Sequence, residues 1–431
     1  MTSVLPFLSK YDPPGTSEGS LDPLGLYQVA DQLAVDLVPA VRERMQRVRF
    51  LTAMTIGSLV TEDIEDTGKH RDVSPTLVWE WLVVEALIRS YDGDAAIQGT
   101  AGAMVTRRAI KTYNYLDANS YLKTPRIFGF NGVYKRLAIQ LGLVDVHLGP
   151  GQMADQLKSA WAKDRGLSPA DADALIAQWR DAVLRSISAD RPRTNPRWTA
   201  VDWRELADAF APEQGGRAER KLLRSMLLSD GPKALGALPQ IWELYESGTV
   251  ENDASEQEVL AALKTLAPHL TPRIDAIVAY ERFARALTNA YDAIRICASR
   301  TNTGVSLAEA ATGSEFKPAA ETVKTRLADA VAALEASGGV GARCRDIVND
   351  RFSSFREADS PTQLADQLIL HHEGIQKSKS AEGKRPWFDR LGGGKVHIRL
   401  RYRLLDECPP LDTFVHTYRA APISRFHGDL R

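Results

Sequence analysis

Between Thr100 and Asp145 the basic side chains are Arg107, Arg108, Lys111, Lys123, Arg126, Lys135 and Arg136, against only Asp117 and Asp145. That is a local excess of about five positive charges in a chain whose formal net charge is −1. Guanidinium and ammonium groups at this density suit contact with phosphates. On a near-neutral protein they imply a local polyanion site rather than a uniformly basic surface. A second basic stretch runs from His371 to Arg431, where four lysines and eight arginines stand against seven acids. Lys377, Lys379, Lys384, Arg385, Arg399, Arg401 and Arg403 are its candidate phosphate contacts. The same stretch holds five of the eight histidines. His371, His372 and His416 beside Lys377, Lys379 and Lys384 therefore offer a rival chemistry, general acid/base work in a metal-dependent nuclease.

Other chemistries find less in the chain. The phosphate-cradling pattern G-x-x-x-x-G-K-[ST] is missing, and LGGGKVH departs from it in spacing; a G-x-S-x-G elbow and an H-E-x-x-H zinc helix are missing too. His371, His372 and Glu373 are consecutive, so on a helix they point about 100° apart and do not chelate as an i, i+4 pair does. Glu315 and Lys317 form an E-x-K arrangement, but in a stretch that reads as helix rather than the strand on which metal-dependent nucleases usually carry it. Cys297, Cys344 and Cys408 are few and far apart, which fits free thiols in a reducing compartment. No metal or cofactor is expected.

The elements that must carry the first patch can be read from periodicity. AGAMVTRRAIKTYNYLDANSYL reads as a helix or helix pair, KTPRIFGFNG as a turn, and VYKRLAIQLGLV as a second helix. In that second helix Val133, Leu137, Leu141 and Val144 would form the inner stripe. Asn131, Tyr134, Lys135 and Gln140 would then point outward, with Arg136 at the border. Asn and Gln can read adenine edges, and Lys or Arg can read guanine or hold phosphate. The Gly-Pro-Gly triplet beyond that helix makes a tight turn, as at the tip of a wing. In a helix-turn-helix the second helix enters the major groove, so the expected partner is double-stranded DNA.

The remaining chain is expected to be mainly helical. VSPTLVWEWLVVEALIRSY carries Ser74 as N-cap and Pro75 at the first helical position, with Trp79 and Trp81 as core. Ser168, Pro169 and Asp171 open a helix that should run to Ser188. The apolar spacing of YQVADQLAVDLVPAVRERMQRVRFLTAMTIGSLV predicts helix with a break at Pro39. Near the end, KVHIRLRYRLL alternates Val396, Ile398, Leu400 and Tyr402 with His397, Arg399, Arg401 and Arg403, which predicts a strand with one basic face. With ADRPRTNPRWTAVDW as a breaker, the chain divides into four regions: an N-terminal helical region over 1–99, a winged-helix-like basic domain over 100–190, a helical bundle over 203–340 and a basic α+β region over 341–431. The fold class expected is thus a multi-domain, mainly α protein with a winged-helix unit and a small α+β C-terminal region.

GFNGVYKRLAIQLGLVDVHLGPGQ resembles winged-helix regions in which a helix ends in L-G-L-V and a β-wing follows. SLDPLGLYQVADQLAVDLVPAVRERMQRVRFLTA and HHEGIQKSKSAEGKRPWF resemble large bacterial proteins encoded with helicases and nucleases in phage-defence or DNA-modification loci. The resemblance implies a DNA-binding recognition or assembly subunit of a defence complex, with a helicase or nuclease as partner, and it transfers no active site. A protein–protein scaffold for such a partner is the alternative of a different class. The first twenty residues lack the pattern of a secretory signal, and no apolar run reaches the ~18–20 residues of a membrane span, so the cytoplasm is the expected location.

Overall fold

The computed structural model describes residues 22–64, 73–91, 93, 97–194, 202–230, 234–379, 383–417 and 419–431. Residues 1–21 and the 195–201 part of the expected breaker lie outside the described residues. Among the described residues the protein is mainly α, with one small three-stranded sheet. Its residues divide into two compact units, one of residues up to Leu33 together with His269–His416, the other of Ala34–Pro268 together with Thr417–Arg431. This division differs from the four sequential regions expected. The stretches 34–99, 100–190 and 203–268 share one unit, and the 203–340 bundle is cut at His269.

In the unit built on Ala34–Pro268, the helix Pro75–Ser90 is the hub. Its start is as expected, since the Ser74 hydroxyl accepts the Leu77 amide at 3.2 Å and Pro75 fills the first helical position. Trp79 packs its ring 5.6 Å from that of Trp179 and 5.5 Å from that of Phe210, and Trp161 joins the same cluster. The Trp79 indole N–H donates to Ala53 O at 2.9 Å, so burial leaves that donor satisfied. Gly57 in helix Phe50–Thr61 is required there, because a Cβ would lie 2.3 Å from the Trp79 ring. The break at Pro39 is present: helix Tyr27–Leu37 ends before it, and Ala40 takes a left-handed φ of 65°. Helix Pro169–Ile187 opens with Ser168 as the expected cap, and Asp171 reaches back to complete a capping box.

The other unit is organised by the long helix Thr271–Ser299, packed along Phe316–Ser337, with Gly339–Phe352 and Pro361–Ser378 completing the bundle. Its sheet has the order β1-β3-β2, from Val305–Ser306 (β1), Phe388–Leu391 (β2) and Lys395–Ile398 (β3). All pairs are antiparallel, with Phe388 opposite Ile398 and Val305 opposite Val396. Gly393 and Gly394, at φ of 74° and 71°, turn β2 into β3. The expected long basic strand is therefore corrected. Alternation holds for Val396 and Ile398, both buried, but the chain then enters a 3-10 turn at Leu400–Tyr402 and leaves Leu400 exposed. Past the Phe388–Ile398 pair the Arg399 amide still donates to Trp387 O at 3.0 Å, and Tyr402 then stacks on Trp387 at 4.6 Å.

Candidate nucleic-acid interface

The first basic patch sits on three short elements fixed to the hub helix by two buried carboxylates. Helix Ala103–Tyr113 buries Thr106 and Ala109. At 3.6 residues per turn, Met104, Arg107, Arg108 and Lys111 fall within an arc of about 100° on the opposite side, and the latter three are exposed. No acidic residue occurs between Ala95 and Leu116, so this face carries no negative side chain of its own. The helix ends at Asn114, left-handed at φ 61°, whose carbonyl and side-chain oxygens both accept from Arg89 Nη2, at 3.0 and 2.8 Å. Arg89 in turn pairs with Glu85 at 2.6 Å. Glu85 also accepts the Thr194 hydroxyl, and burial raises its pKa. Lys111 lies in the last turn, where the helix dipole favours a cation.

Glu80, fully buried, anchors both Tyr121 and the start of the next long helix. Its Oε2 accepts the Asn131 amide at 3.0 Å and its Oε1 accepts the Tyr121 hydroxyl at 2.8 Å, with the Phe130 amide also bonded. A carboxylate thus occupies the N-terminus of helix Phe130–Gln140, where unsatisfied amides and the dipole both favour negative charge. Burial nonetheless pushes its pKa to about 7, against the lowering effect of those hydrogen bonds. Gly129 is required because a Cβ would lie 1.9 Å from Glu80 Oε1, and Gly132 because a Cβ would lie 2.4 Å from Arg126 O.

Helix Phe130–Gln140 is turned differently from the expected stripe. Leu137, Leu141 and Val144 are buried, but Val133 is half-buried, and Phe130 and Tyr134 take the inner positions. Tyr134 is not an outward base-contacting residue: at 2 % exposure it packs near Phe50, and its hydroxyl accepts the Gln46 and Arg47 amides, each at 2.8 Å. Asn131 is also engaged inward, donating from Nδ2 to Thr76 O at 2.9 Å. Gln140 and Lys135 are half-buried, whereas Arg136 is exposed. Lys123 and Arg126 are exposed on the turn around Pro125–Phe128. The stretch after Gln140 is not a two-stranded wing. A single antiparallel bridge, Val144 to Pro150, closes a turn in which the Asp145 carboxylate accepts from the His147 and Gly149 amides at 2.8 Å each.

The second patch, in the other unit, is less uniform. Lys377, Arg385 and Arg401 are exposed, and Arg385 pairs with Asp389 at 3.1 Å. Lys379, Lys384, Arg399 and Arg403 are half-buried; Lys379 donates to Asp22 O and Arg403 to Asn302 Oδ1. No family model, curated protein or solved structure matches this chain. The geometry alone therefore sorts the candidates: Arg107, Arg108, Lys111, Lys123, Arg126 and Arg136 share exposure, while Asn131 and Tyr134 position the backbone. Sequence reasoning passed over Glu80, Glu85 and Arg89. Two acids inside an otherwise apolar hub helix were the available signal, since buried carboxylates need dedicated partners.

Proposed function

We propose that this protein binds double-stranded DNA, with Arg107, Arg108 and Lys111 on one helix face and Lys123, Arg126 and Arg136 beside them contacting phosphates. The observation that carries this reading is the basic face of helix Ala103–Tyr113, set opposite its buried Thr106 and Ala109. Contacts to phosphate position a protein on DNA without reading its sequence. The base-reading role is dropped for Asn131 and Tyr134, whose polar groups serve the fold. The exposed cations Lys377, Arg385 and Arg401 of the C-terminal patch are secondary contacts. The sequence resemblance alone adds the wider setting, a recognition or assembly subunit of a bacterial defence complex in the cytoplasm with a helicase or nuclease partner.

The nuclease alternative loses its acid/base groups to structural duties. His372 is buried, its Nδ1 3.0 Å from Pro23 O and its Nε2 accepting the Trp387 amide at 2.9 Å, and burial lowers its pKa to about 4. His371 Nε2 lies 2.9 Å from Leu24 O, and His416 Nδ1 lies 3.1 Å from Glu281.

Titration of a labelled duplex at several salt concentrations tests the proposal. Six phosphate contacts give a slope of log K against log salt of about −5. The double variant Arg107→Glu/Lys111→Glu should bind more weakly and flatten that slope by about 2. Unchanged affinity and slope in the double variant would refute phosphate contact by this helix.

A further inference from the structure

Simple phosphate binding has no use for the apolar tip inside the basic patch. Ile127 and Phe128 are adjacent, 54 % and 43 % exposed, on the short helix Pro125–Phe128. They are held out by a rigid turn. The Ile127 and Phe128 amides both donate to Thr124 O at 3.0 Å, and the Gly129 amide donates to Pro125 O at 2.8 Å. Gly129 and Gly132 allow the close approach to Glu80 and to the Arg126 carbonyl. Two residues on, Phe130 is buried and stacks on Phe50 at 5.4 Å, so the same turn sends one phenyl ring into the core and the other into water. The same unit exposes Lys123 and Arg126 on this turn, Arg136 on the next helix, and Arg44, whose guanidinium lies 4.4 Å from the Phe128 ring centroid.

Building on the DNA-binding reading, we infer that Ile127 and Phe128 form a wedge that stacks on unpaired bases where duplex DNA opens into a single strand. The surrounding charge selects a polyanion, and a flat apolar surface within that charge selects a polyanion with flat apolar faces. Paired bases inside a duplex do not offer those faces, whereas the first unpaired base does. Apolar side chains inserted at base steps are a general device for holding opened or kinked DNA. An anionic membrane shares the charge and the apolar preference, but Arg44 covers one face of Phe128. Insertion into a bilayer would have to strip that contact or bury the guanidinium. Stacking needs only the ring's other face.

The full-length protein is tested with two probes: a blunt duplex, and the same duplex extended by a single strand that carries 2-aminopurine at its first unpaired position. The wild type should prefer the extended duplex by about tenfold, and its binding should change the 2-aminopurine fluorescence. Phe128→Ala should lose that preference and the fluorescence change, while Phe128→Trp should keep both. Equal affinity of the wild type for the two probes, or an unaltered preference in Phe128→Ala, overturns the wedge and leaves the phosphate-contact reading standing if blunt-duplex binding remains salt-dependent. Failure to bind either DNA overturns both. Binding to phosphatidylserine vesicles that Phe128→Ala abolishes assigns the tip to a membrane and also overturns the wedge.

Discussion

Glu80 shows how one residue can place an entire surface and still weaken the fold that holds it. Its carboxylate receives the Tyr121 hydroxyl and the amides at the start of helix Phe130–Gln140, yet burial raises its pKa to about 7 from 4.5. Below pH ~4.5 both folded and unfolded states are protonated, and the group contributes no pH dependence. Between those values the unfolded chain ionises first, the folded state holds more protons, and stability falls as pH rises. Above pH ~7 the full cost is present, about 3 kcal/mol for a shift of this size. Glu80→Gln retains an acceptor for the amides, and its NH2 can donate to the Tyr121 oxygen, so the variant should fold. Urea denaturation at pH 5 and pH 8 should show a smaller loss of stability across that interval than the wild type, by up to about 3 kcal/mol. Parallel pH profiles for the two proteins would mean that Glu80 does not titrate in this range. Glu85, Glu256, Asp292 and Asp429 are raised in the same direction by burial, so the comparison is between proteins rather than with a flat line.

Among the elements, the long helix Thr271–Ser299 solves a problem set by its neighbour in the same unit. The chain from about 403 to 416 has almost no regular structure, and its backbone groups need partners wherever water is excluded. The helix supplies them from a polar stripe. Arg295 donates to Tyr402 O at 2.9 Å, Asn289 to Pro409 O at 2.6 Å, and Arg285 to Thr413 O at 3.0 Å and Phe414 O at 2.5 Å. Glu281 accepts the Val415 and His416 amides at 3.0 Å each. The spacing of four and then six residues keeps these groups on one side of the helix, so the strap runs antiparallel to it. Arg285→Leu should strand two carbonyls and destabilise the protein by about 2–3 kcal/mol. Hydrogen exchange should speed up first within 409–416, and unaltered exchange there would show that the strap is held by other contacts. This arrangement also marks the limit of what the sequence discloses. Local chemistry was legible: Ser74 and Ser168 cap the helices they were expected to cap, Trp79 and Trp81 are core, and Pro39 breaks its helix. Quantities set by distant partners were not. The phase of helix Phe130–Gln140 follows from Phe50 and from the Gln46 and Arg47 amides that claim Tyr134, more than 80 residues upstream. Likewise β1 comes from about 90 residues before its partner β3. Of the first basic patch, the exposed arginines and lysines were readable as charge; the inward engagement of Asn131 and Tyr134 was not, because polarity alone does not tell a solvent-facing group from one that secures a turn.

For the whole molecule, the decisive fact is that the unit built on Ala34–Pro268 is completed by the last residues of the chain. Arg419 and Glu256 are both buried, paired at 2.5 Å, with the Arg419 and Ala420 amides also on the Glu256 carboxylate at 2.8 and 3.3 Å. Helix Ala421–Leu430 then buries Ile423, Phe426 and Leu430, and sets His427 edge-on against Trp242 at 5.1 Å. Arg47 pairs with Asp429 at 2.8 Å, which ties the same helix to the segment whose amides donate to the Tyr134 hydroxyl. Contacts of this sequence separation cannot form until residues 417–431 have been made, and the loop closed between them is long. Ending the chain after His416 removes three buried apolar side chains, each worth about 1.5–3 kcal/mol, and leaves Glu256 buried without its cation, a further cost of about 3–5 kcal/mol. That sum rivals the ~5–15 kcal/mol that holds a typical domain together. The truncated protein should lose the cooperative unfolding of this unit, with amides in helices Leu238–Glu246 and Glu256–Leu266 exchanging rapidly. Helix Thr271–Ser299, whose partners in Glu281, Arg285 and Asn289 all lie before Thr417, should keep its protection. Because Arg107, Arg108 and Lys111 are displayed by the affected unit, the proposed duplex binding should fall along with that protection. A truncated protein that retains both slow exchange in 238–266 and full affinity for duplex would show the terminal helix to be dispensable to the unit it completes.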